Sequence, residues 1–396
     1  MRIGINALFN ATGGSLTNLR ILLTEWSAKQ QVDQQADVFL YVTKQTWEKL
    51  NDISLNKIQI RLAPSNWSCF GNRYFFEQFW LPIIGKRDEL DVLFCPANTT
   101  PLFFHAPIIV TFQNIAPFES GVSWQEMGFQ RAIRFRILKY FMLLSAWRAK
   151  KILFGSQYFR DLFCRSTGLS QYKTAVIPRS TPPQSGSHNL TLDSLSRMTG
   201  CQLHQPYLLC VSHLHPYKKL VELIEAFGEA KNSPCLDKVQ LVIVGKSYLS
   251  SHYGICVSQS IKEFSLTDEV VMPGELEHDQ ISLLLENADG FIFTSVCENC
   301  PTSLVEAIQH GLPILCSNKS SMPEVAGDAA LYFDPTDPAE VSKVIRSVYE
   351  KNQFAELSDR SKKRAQEWPG IEEMSSLTWE FIVSQVEVKN EFHCHK

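Results

Sequence analysis

The chain has 396 residues and a mass of 45.1 kDa, 44% of it hydrophobic and 20% charged, with 25 Phe and 8 Trp, which excludes a disordered chain and suits two or three domains with large cores. A net charge of −3 and an isoelectric point near 6.4 exclude the global basic field of a nucleic-acid binder, leaving only local patches. The 11 cysteines are scattered, the start MRIGINALFNATGG has no apolar signal core, and no run of about 18 apolar residues occurs; the expectation is a soluble, cytoplasmic protein with unpaired thiols.

Along the chain, short apolar runs alternate with stretches of helical period, the pattern of an α/β protein. The predicted strands in the first half are Arg2–Asn6, Val38–Val42, Ile58–Leu62, Asp91–Phe94, Ile108–Phe112, Lys151–Gly155 and Thr174–Ile177. Those in the second half are Tyr207–Val211, Val239–Val244, Glu269–Met272, Gly290–Thr294, Leu312–Cys316 and Ala330–Phe333. Helices are predicted between most of them, among them Val221–Ala230, Gln280–Asn287 and Ser303–Gln309, with a last one from Ile371 to about Val388 after Trp368-Pro369-Gly370. Between the halves, RSTPPQSGSHNLTLDS is rich in Pro, Ser and Gly and lacks apolar periodicity, so 181–206 reads as a linker. The layout is then 1–180, with the terminal helix of about 371–388 packing back on it, and 207–370: two doubly wound domains facing a cleft.

The most informative segment is TSVCENCPTSLVEAIQHG, from Thr294 to Gly311. A strand ends, a polar loop carries Glu298, and a helix begins near Ser303 with Glu306 in its first turn. Free N–H groups and the macrodipole at a helix N-terminus favour an anion such as a phosphate. Carboxylates on either side of that phosphate could accept hydroxyl hydrogen bonds from a sugar at one end and a ribose at the other. The competing reading is a capping box, in which Glu306 only returns a bond to the backbone at Ser303.

Glu298, seven intervening residues and Glu306 form the Glu-x7-Glu signature, and CENCPTSLVEAIQHGLPILCSNKSSMPEVAGDAALYFDPTDPAEV resembles family 4 of the retaining GT-B glycosyltransferases. YLLCVSHLHPYKKLVELIEAF and VVMPGELEHDQISLLLENADGFIFTS are similar to the same family, so the resemblance covers essentially 207–345. It is weaker in the first half, at Gly13-Gly14 after the first strand and at SQYFRDLF. The resemblance implies a GT-B fold of two Rossmann-like domains: an N-terminal acceptor-side domain and a C-terminal one that binds a nucleotide-sugar. It implies hexosyl transfer from a UDP- or GDP-sugar to a hydroxyl acceptor (a glycan, lipid-linked or other) with retention, in polysaccharide or glycoconjugate synthesis, and no cofactor.

Residue by residue, it implies that Glu298 steadies the sugar and the oxocarbenium-like transition state, that Glu306 takes the ribose hydroxyls, and that Lys218 contacts the diphosphate. A flexible ammonium suits a leaving group that gains negative charge. The backbone N–H groups of Ser303 and Leu304 would assist, Leu276 would help hold the base, and Asn299 and Cys300 complete the substrate-binding loop. Gly14 would let the first domain's backbone approach the diphosphate.

Two departures stand out. His213 replaces an Arg that the family often carries five residues before the Lys, and an imidazole is mostly neutral at pH 7. Gln113-Asn114 replaces a common His-Asp, and a glutamine amide is no base. That would disable an inverting enzyme; in a retaining one the departing phosphate oxygen takes the acceptor's proton, leaving Gln113 and Asn114 to orient hydroxyls. These departures feed a rival reading, a non-catalytic GT-B scaffold that binds a glycan or a partner protein.

Other chemistry is weakly signalled. No G-x-G-x-x-G occurs, which discounts a dinucleotide-binding oxidoreductase, and no Asp-x-Asp occurs, so metal-independent chemistry is expected. Cys297-x-x-Cys300 is one pair without a second, and His393-Cys394-His395 is a terminal tract. From Arg131 to Lys151, seven basic residues are interleaved with Phe, Ile, Leu and Tyr, which makes 131–151 a candidate for peripheral contact with the inner membrane face.

Overall fold

In the computed structural model, which describes residues 1–8, 14–28, 36–55, 58–64, 74–119, 129–181, 190–246 and 252–391, the chain divides into two α/β units. Unit 1 comprises Met1–Phe118, Gln130–Ser180 and Pro369–Lys396; unit 2 comprises Glu119–Phe129 and Thr181–Trp368.

The sheet of unit 1 is built from β1 (Arg2–Ala7), β2 (Asp37–Val42), β3 (Ile58–Leu62), β4 (Val92–Cys95), β5 (Ile108–Phe112), β6 (Lys151–Phe154) and β7 (Thr174–Val176), in the order β3-β2-β1-β4-β5-β6-β7. Every pairing is parallel. Its principal core gathers Ile3, Ile5, Trp26, Val38, Leu40 and Phe94, and the terminal helix Ile371–Glu391 adds Met374, Trp379 and Ile382 to it. The Trp26 indole N–H donates to the Ser375 carbonyl at 3.1 Å, and the Trp26 and Trp379 rings lie 5.3 Å apart.

Unit 2 contains β8 (Tyr207–Val211), β9 (Gln240–Val244), β10 (Val270–Gly274), β11 (Gly290–Phe293), β12 (Ile314–Ser317) and β13 (Ala330–Phe333), all parallel, in the order β10-β9-β8-β11-β12-β13. Tyr207, Leu209, Phe291 and Phe293 enter the core on one face, while Leu208, Cys210 and Ile292 enter the core on the other. Alternation with both faces covered explains why these strands read as unbroken apolar runs.

One expectation needs correction. The stretch 181–206 is not all linker, because Leu192–Thr199 is a helix whose Leu195 is fully buried in unit 2. Thr191 and Ser194 close a capping box at its start, and Gly200 ends it in the left-handed conformation (φ 70°). A second feature carried no signal: Phe76–Trp80 forms a π-helical turn that runs into the helix Leu81–Arg87. Among the described residues, no helix is long and apolar enough to cross a membrane.

Candidate active site

In a doubly wound sheet, ligands gather at the carboxyl ends of the strands where the strand order reverses. In unit 2 that reversal falls between β8 and β11, with β12 beside them. Lys218 ends a short 3-10 turn, Pro216–Lys218, after β8, and Glu298 lies in the loop after β11. The Lys218 Nζ donates to Glu298 Oε1 at 2.6 Å, so an ion pair bridges the switch point between residues 80 apart in sequence.

The loops hold this pair by backbone and hydroxyl bonds. Val296 N–H donates to the Tyr217 carbonyl at 2.9 Å, and Thr294 Oγ1 donates to the Lys218 carbonyl at 2.7 Å. Ser295 Oγ donates to Glu298 Oε1 at 2.9 Å, sharing the oxygen that Lys218 uses. From the loop after β12, Ser320 Oγ and Ser321 Oγ both donate to the Glu298 carbonyl, at 2.8 and 2.9 Å, and Glu298 N–H donates back to Ser320 Oγ at 3.1 Å. Sequence reasoning missed Ser295, Ser320 and Ser321. The available signal was the hydroxyl-rich SNKSSM run directly after β12, a neighbour of β11.

The Lys218 side chain is largely buried, and its ammonium lies 5.0 Å from the Phe293 ring centroid. Burial alone opposes its charge, but the Glu298 carboxylate and Tyr217 outweigh that, and the ammonium is held above the usual lysine range. The neighbouring Lys219 pairs with Glu222 at 2.9 Å.

His213 follows β8, and its Nδ1 accepts the Lys246 N–H at 2.9 Å. That bond requires an unprotonated Nδ1, which leaves Nε2 as the donor of a neutral ring. Partial burial first, then the Lys218 charge, hold the imidazole below its ordinary value. His213 therefore offers a hydrogen bond here but no full charge.

The helix over the site runs Thr302–Gln309, and its N-cap is Pro301, with no side-chain cap bond. The capping-box reading of Ser303 and Glu306 is thereby overturned, since the helix begins one residue earlier than expected. Leu304 N–H, expected to bind an anion, already donates to the Pro301 carbonyl at 3.2 Å, whereas the N–H groups of Thr302 and Ser303 take no partner among the described residues. Glu306 lies beyond the first turn, and its side chain makes no hydrogen bond or ion pair with any described residue; burial pushes its carboxyl up to about 7. A half-buried acceptor with no donor among the described residues is one that a ligand can satisfy.

Around this centre, Leu276 packs on the core of unit 2 in the loop after β10, and Asn299 and Cys300 are buried in the Glu298 loop. Cys297 and Cys300 are buried and form no disulfide, and burial followed by the Glu298 charge holds Cys297 well above the usual thiol range, which disfavours a thiolate for redox or zinc chemistry. His393-Cys394-His395 lies outside the described residues.

The expected residues of unit 1 also meet at a switch point, between β1 and β4. Gly14 opens the helix Gly14–Ala28 after β1, and a Cβ there would stand 3.4 Å from Arg179 Nη1; Gly13 lies outside the described residues. Gln113 follows β5, its Oε1 accepting from Ser15 Oγ and its Nε2 donating to the Pro96 carbonyl. Asn98 Oδ1 accepts the N–H groups of both Gln113 and Asn114, at 2.7 and 2.9 Å, and Asn114 Oδ1 accepts the Ala116 N–H. Gln113 thus ties the first helix to the β4 and β5 loops through both ends of its amide. Near the ends of β1 and β4, Asn6 Nδ2 and Thr99 Oγ1 donate to the buried Glu77 carboxylate at 2.8 and 2.9 Å.

Two doubly wound parallel sheets, the second with a Lys–Glu pair at its switch point, define the GT-B class of fold. Residues 196–368 match the family model described as glycosyl transferases group 1. O-antigen chain mannosyltransferase B of Escherichia coli is 23% identical over 46% of this chain and 44% of its own length, less than half of that protein. O-antigen chain mannosyltransferase RfbU of Salmonella typhimurium is 22% identical over 75% of this chain and 74% of its own. Among solved structures, sucrose-phosphate synthase from Thermosynechococcus elongatus superposes with a TM-score of 0.73 at 14% identity, covering 98% of this chain and 99% of that one. Anabaena HepE in complex with UDP gives 0.72 at 17% identity, covering 97% and 100%. The family model covers residues 196–368 of unit 2, and the superposed structures give the chain the GT-B fold.

Proposed function

We propose that the chain is a retaining glycosyltransferase that moves a hexose from a UDP- or GDP-sugar to a hydroxyl acceptor in polysaccharide or glycoconjugate synthesis. The observation that carries this reading is the Lys218–Glu298 ion pair at the switch point of unit 2, with the unpartnered Glu306 on the helix that follows. In the free protein the two charges neutralise each other. An arriving diphosphate gives Lys218 a second anion to contact, which releases part of the Glu298 carboxylate to accept sugar hydroxyls.

As the glycosidic bond breaks, negative charge grows on the diphosphate, where Lys218 and the N–H groups of Thr302 and Ser303 stabilise it. Glu298, fixed through its backbone by Ser320 and Ser321, faces the positive charge developing on the sugar. The proton of the acceptor hydroxyl passes to the departing phosphate oxygen on the same face, so no side-chain base is needed and Gln113 is tolerated. Acceptor binding is assigned to unit 1. Two similar proteins, both O-antigen chain mannosyltransferases, support the polysaccharide reading, and the HepE structure in complex with UDP supports a nucleotide donor. The non-catalytic scaffold is not favoured, because the ion pair and Glu306 are both in place.

The test is hydrolysis of UDP- and GDP-hexoses by the purified protein, followed by transfer to a hydroxyl acceptor with the anomeric product identified by NMR. Retention of configuration is expected; an inverted product, or no turnover with any nucleotide-sugar, would overturn the proposal.

A further inference from the structure

Unit 1 turns apolar side chains outward along its helix Phe129–Arg148. That helix buries Met142, Ser145 and Ala146. On the opposite side Ile133, Ile137, Tyr140, Leu143 and Trp147 are exposed, Trp147 to 77%. They recur at three- and four-residue steps, so they form one stripe where a surface helix is ordinarily polar. The charge is of one sign: residues 132–151 contain no Asp or Glu, and Arg134, Arg136 and Lys139 are exposed among the apolar residues.

A second stripe runs along residues 74–87, where Phe75, Phe79 and Ile83 are exposed at four-residue steps and Lys86 and Arg87 follow, also exposed. Phe103, 83% exposed, adds a third element. Specific contacts hold the three together. Tyr74 stacks on Phe141 with centroids 4.9 Å apart. Gln78 accepts the Leu102 N–H at 2.9 Å and donates to the Thr100 carbonyl at 3.0 Å. Thr100 N–H donates to Ser145 Oγ at 3.0 Å, and the Arg148 guanidinium donates to the Leu102 carbonyl at 3.0 Å.

We propose that this face docks on an anionic lipid membrane. Large apolar and aromatic side chains enter the boundary between headgroups and acyl chains, while the long stems of Arg134, Arg136, Lys139, Lys86 and Arg87 place their charges among the phosphates. A second copy of this chain is the poorer occupant, since a two-fold pairing would set basic residues against basic residues. The inference is independent of the donor assignment.

The test is flotation of the full chain with vesicles of phosphatidylcholine alone or with added phosphatidylglycerol, at low and high salt. The wild type is expected to bind the anionic vesicles, much less at high salt, and to leave the neutral ones unbound. Arg134→Glu with Arg136→Glu and Lys139→Glu changes exposed positions only, and should lower that binding at least about a hundredfold. Ile137→Ser with Trp147→Ser should lower it about tenfold or more. Both variants should keep the wild-type far-UV circular dichroism and melting profile, which report that unit 1 still folds, and the wild-type affinity for nucleotide diphosphate. No binding to anionic vesicles, equal binding to both kinds, or binding that the charge reversal leaves unchanged would overturn the proposal. So would a dimer in sedimentation velocity that the Trp147→Ser variant abolishes, which assigns the face to a second copy.

Discussion

Glu298 Oε1 accepts from both Lys218 Nζ and Ser295 Oγ, so the lysine and the carboxylate are each held where they would act. Replacing Lys218 with Ala should therefore lower turnover much more than it lowers stability. One charge-assisted contact to a developing phosphate charge is worth on the order of 3 kcal/mol, or about a hundredfold in kcat. Turnover equal to wild type in a variant that melts normally would remove Lys218 from the mechanism. Glu306 allows a second prediction, in pH. Its carboxyl is raised to about 7 by burial, from an ordinary 4.5. The folded state then favours the protonated form, so the stability that Glu306 contributes is complete below about pH 4.5 and is lost as pH rises through about 7. Glu306→Gln keeps the neutral form at every pH. Thermal melts should show the variant on the order of 2–3 kcal/mol more stable at pH 8, with the two proteins converging near pH 4.5. If the carboxylate also takes ribose hydroxyls, the same variant should bind the free nucleotide diphosphate about ten- to a hundredfold more weakly in calorimetry. Greater stability with weaker binding is the pattern of a ligand-facing group. Unchanged binding would make Glu306 a purely structural residue.

At the scale of elements, the site depends on loops that leave adjacent strands almost in contact. Gly245, after β9, has φ +152°, and a Cβ there would stand 2.3 Å from the Ser212 carbonyl oxygen after β8. Gly245→Ala must force those strand ends apart, disturbing the Lys246–His213 bond. A loss of about 2 kcal/mol or more is expected in urea unfolding; an unchanged midpoint would mean that the loop yields without strain. The same scale explains what could be read from the sequence. Strands such as β8 and β11 were legible because both faces of their sheet are covered, so apolar residues run unbroken. The helix Leu192–Thr199 was not, because a Pro-, Ser- and Gly-rich run directly precedes its Thr191 cap. Ser303–Glu306 carried the opposite error, a capping signature where the helix actually starts after Pro301. In the site, the resemblance pointed to Lys218 and Glu298 individually, but no local pattern joins residues 80 apart. The Asn6–Glu77–Thr99 network was equally silent, since burial of a lone Glu on a π-helical turn depends on tertiary packing.

For the whole molecule, neutralising the donor with Lys218 and a helix N-terminus, in a chain without an Asp-x-Asp pair, predicts that transfer survives EDTA. Loss on chelation that Mg²⁺ or Mn²⁺ restores would contradict that account. The path of the chain supports a further prediction. After completing unit 2 at Trp368 it returns to unit 1, where the helix Ile371–Glu391 supplies Met374, Trp379, Ile382 and Val386 to the core around Trp26. Burying one such side chain is worth about 1.5–3 kcal/mol. Four of them amount to roughly 6–12 kcal/mol, comparable with the whole stability of an ordinary domain at about 5–15 kcal/mol. Ending the chain at Trp368 should therefore unfold unit 1. Unit 2 keeps both of its cores, the ion pair and Glu306, because every residue of Thr181–Trp368 remains. The truncated protein should still bind the free nucleotide diphosphate in calorimetry while losing all transfer, and should retain one cooperative melting transition. Full activity after truncation would show that unit 1 does not need the returning helix. Loss of nucleotide binding would show that the donor site cannot stand on unit 2 alone.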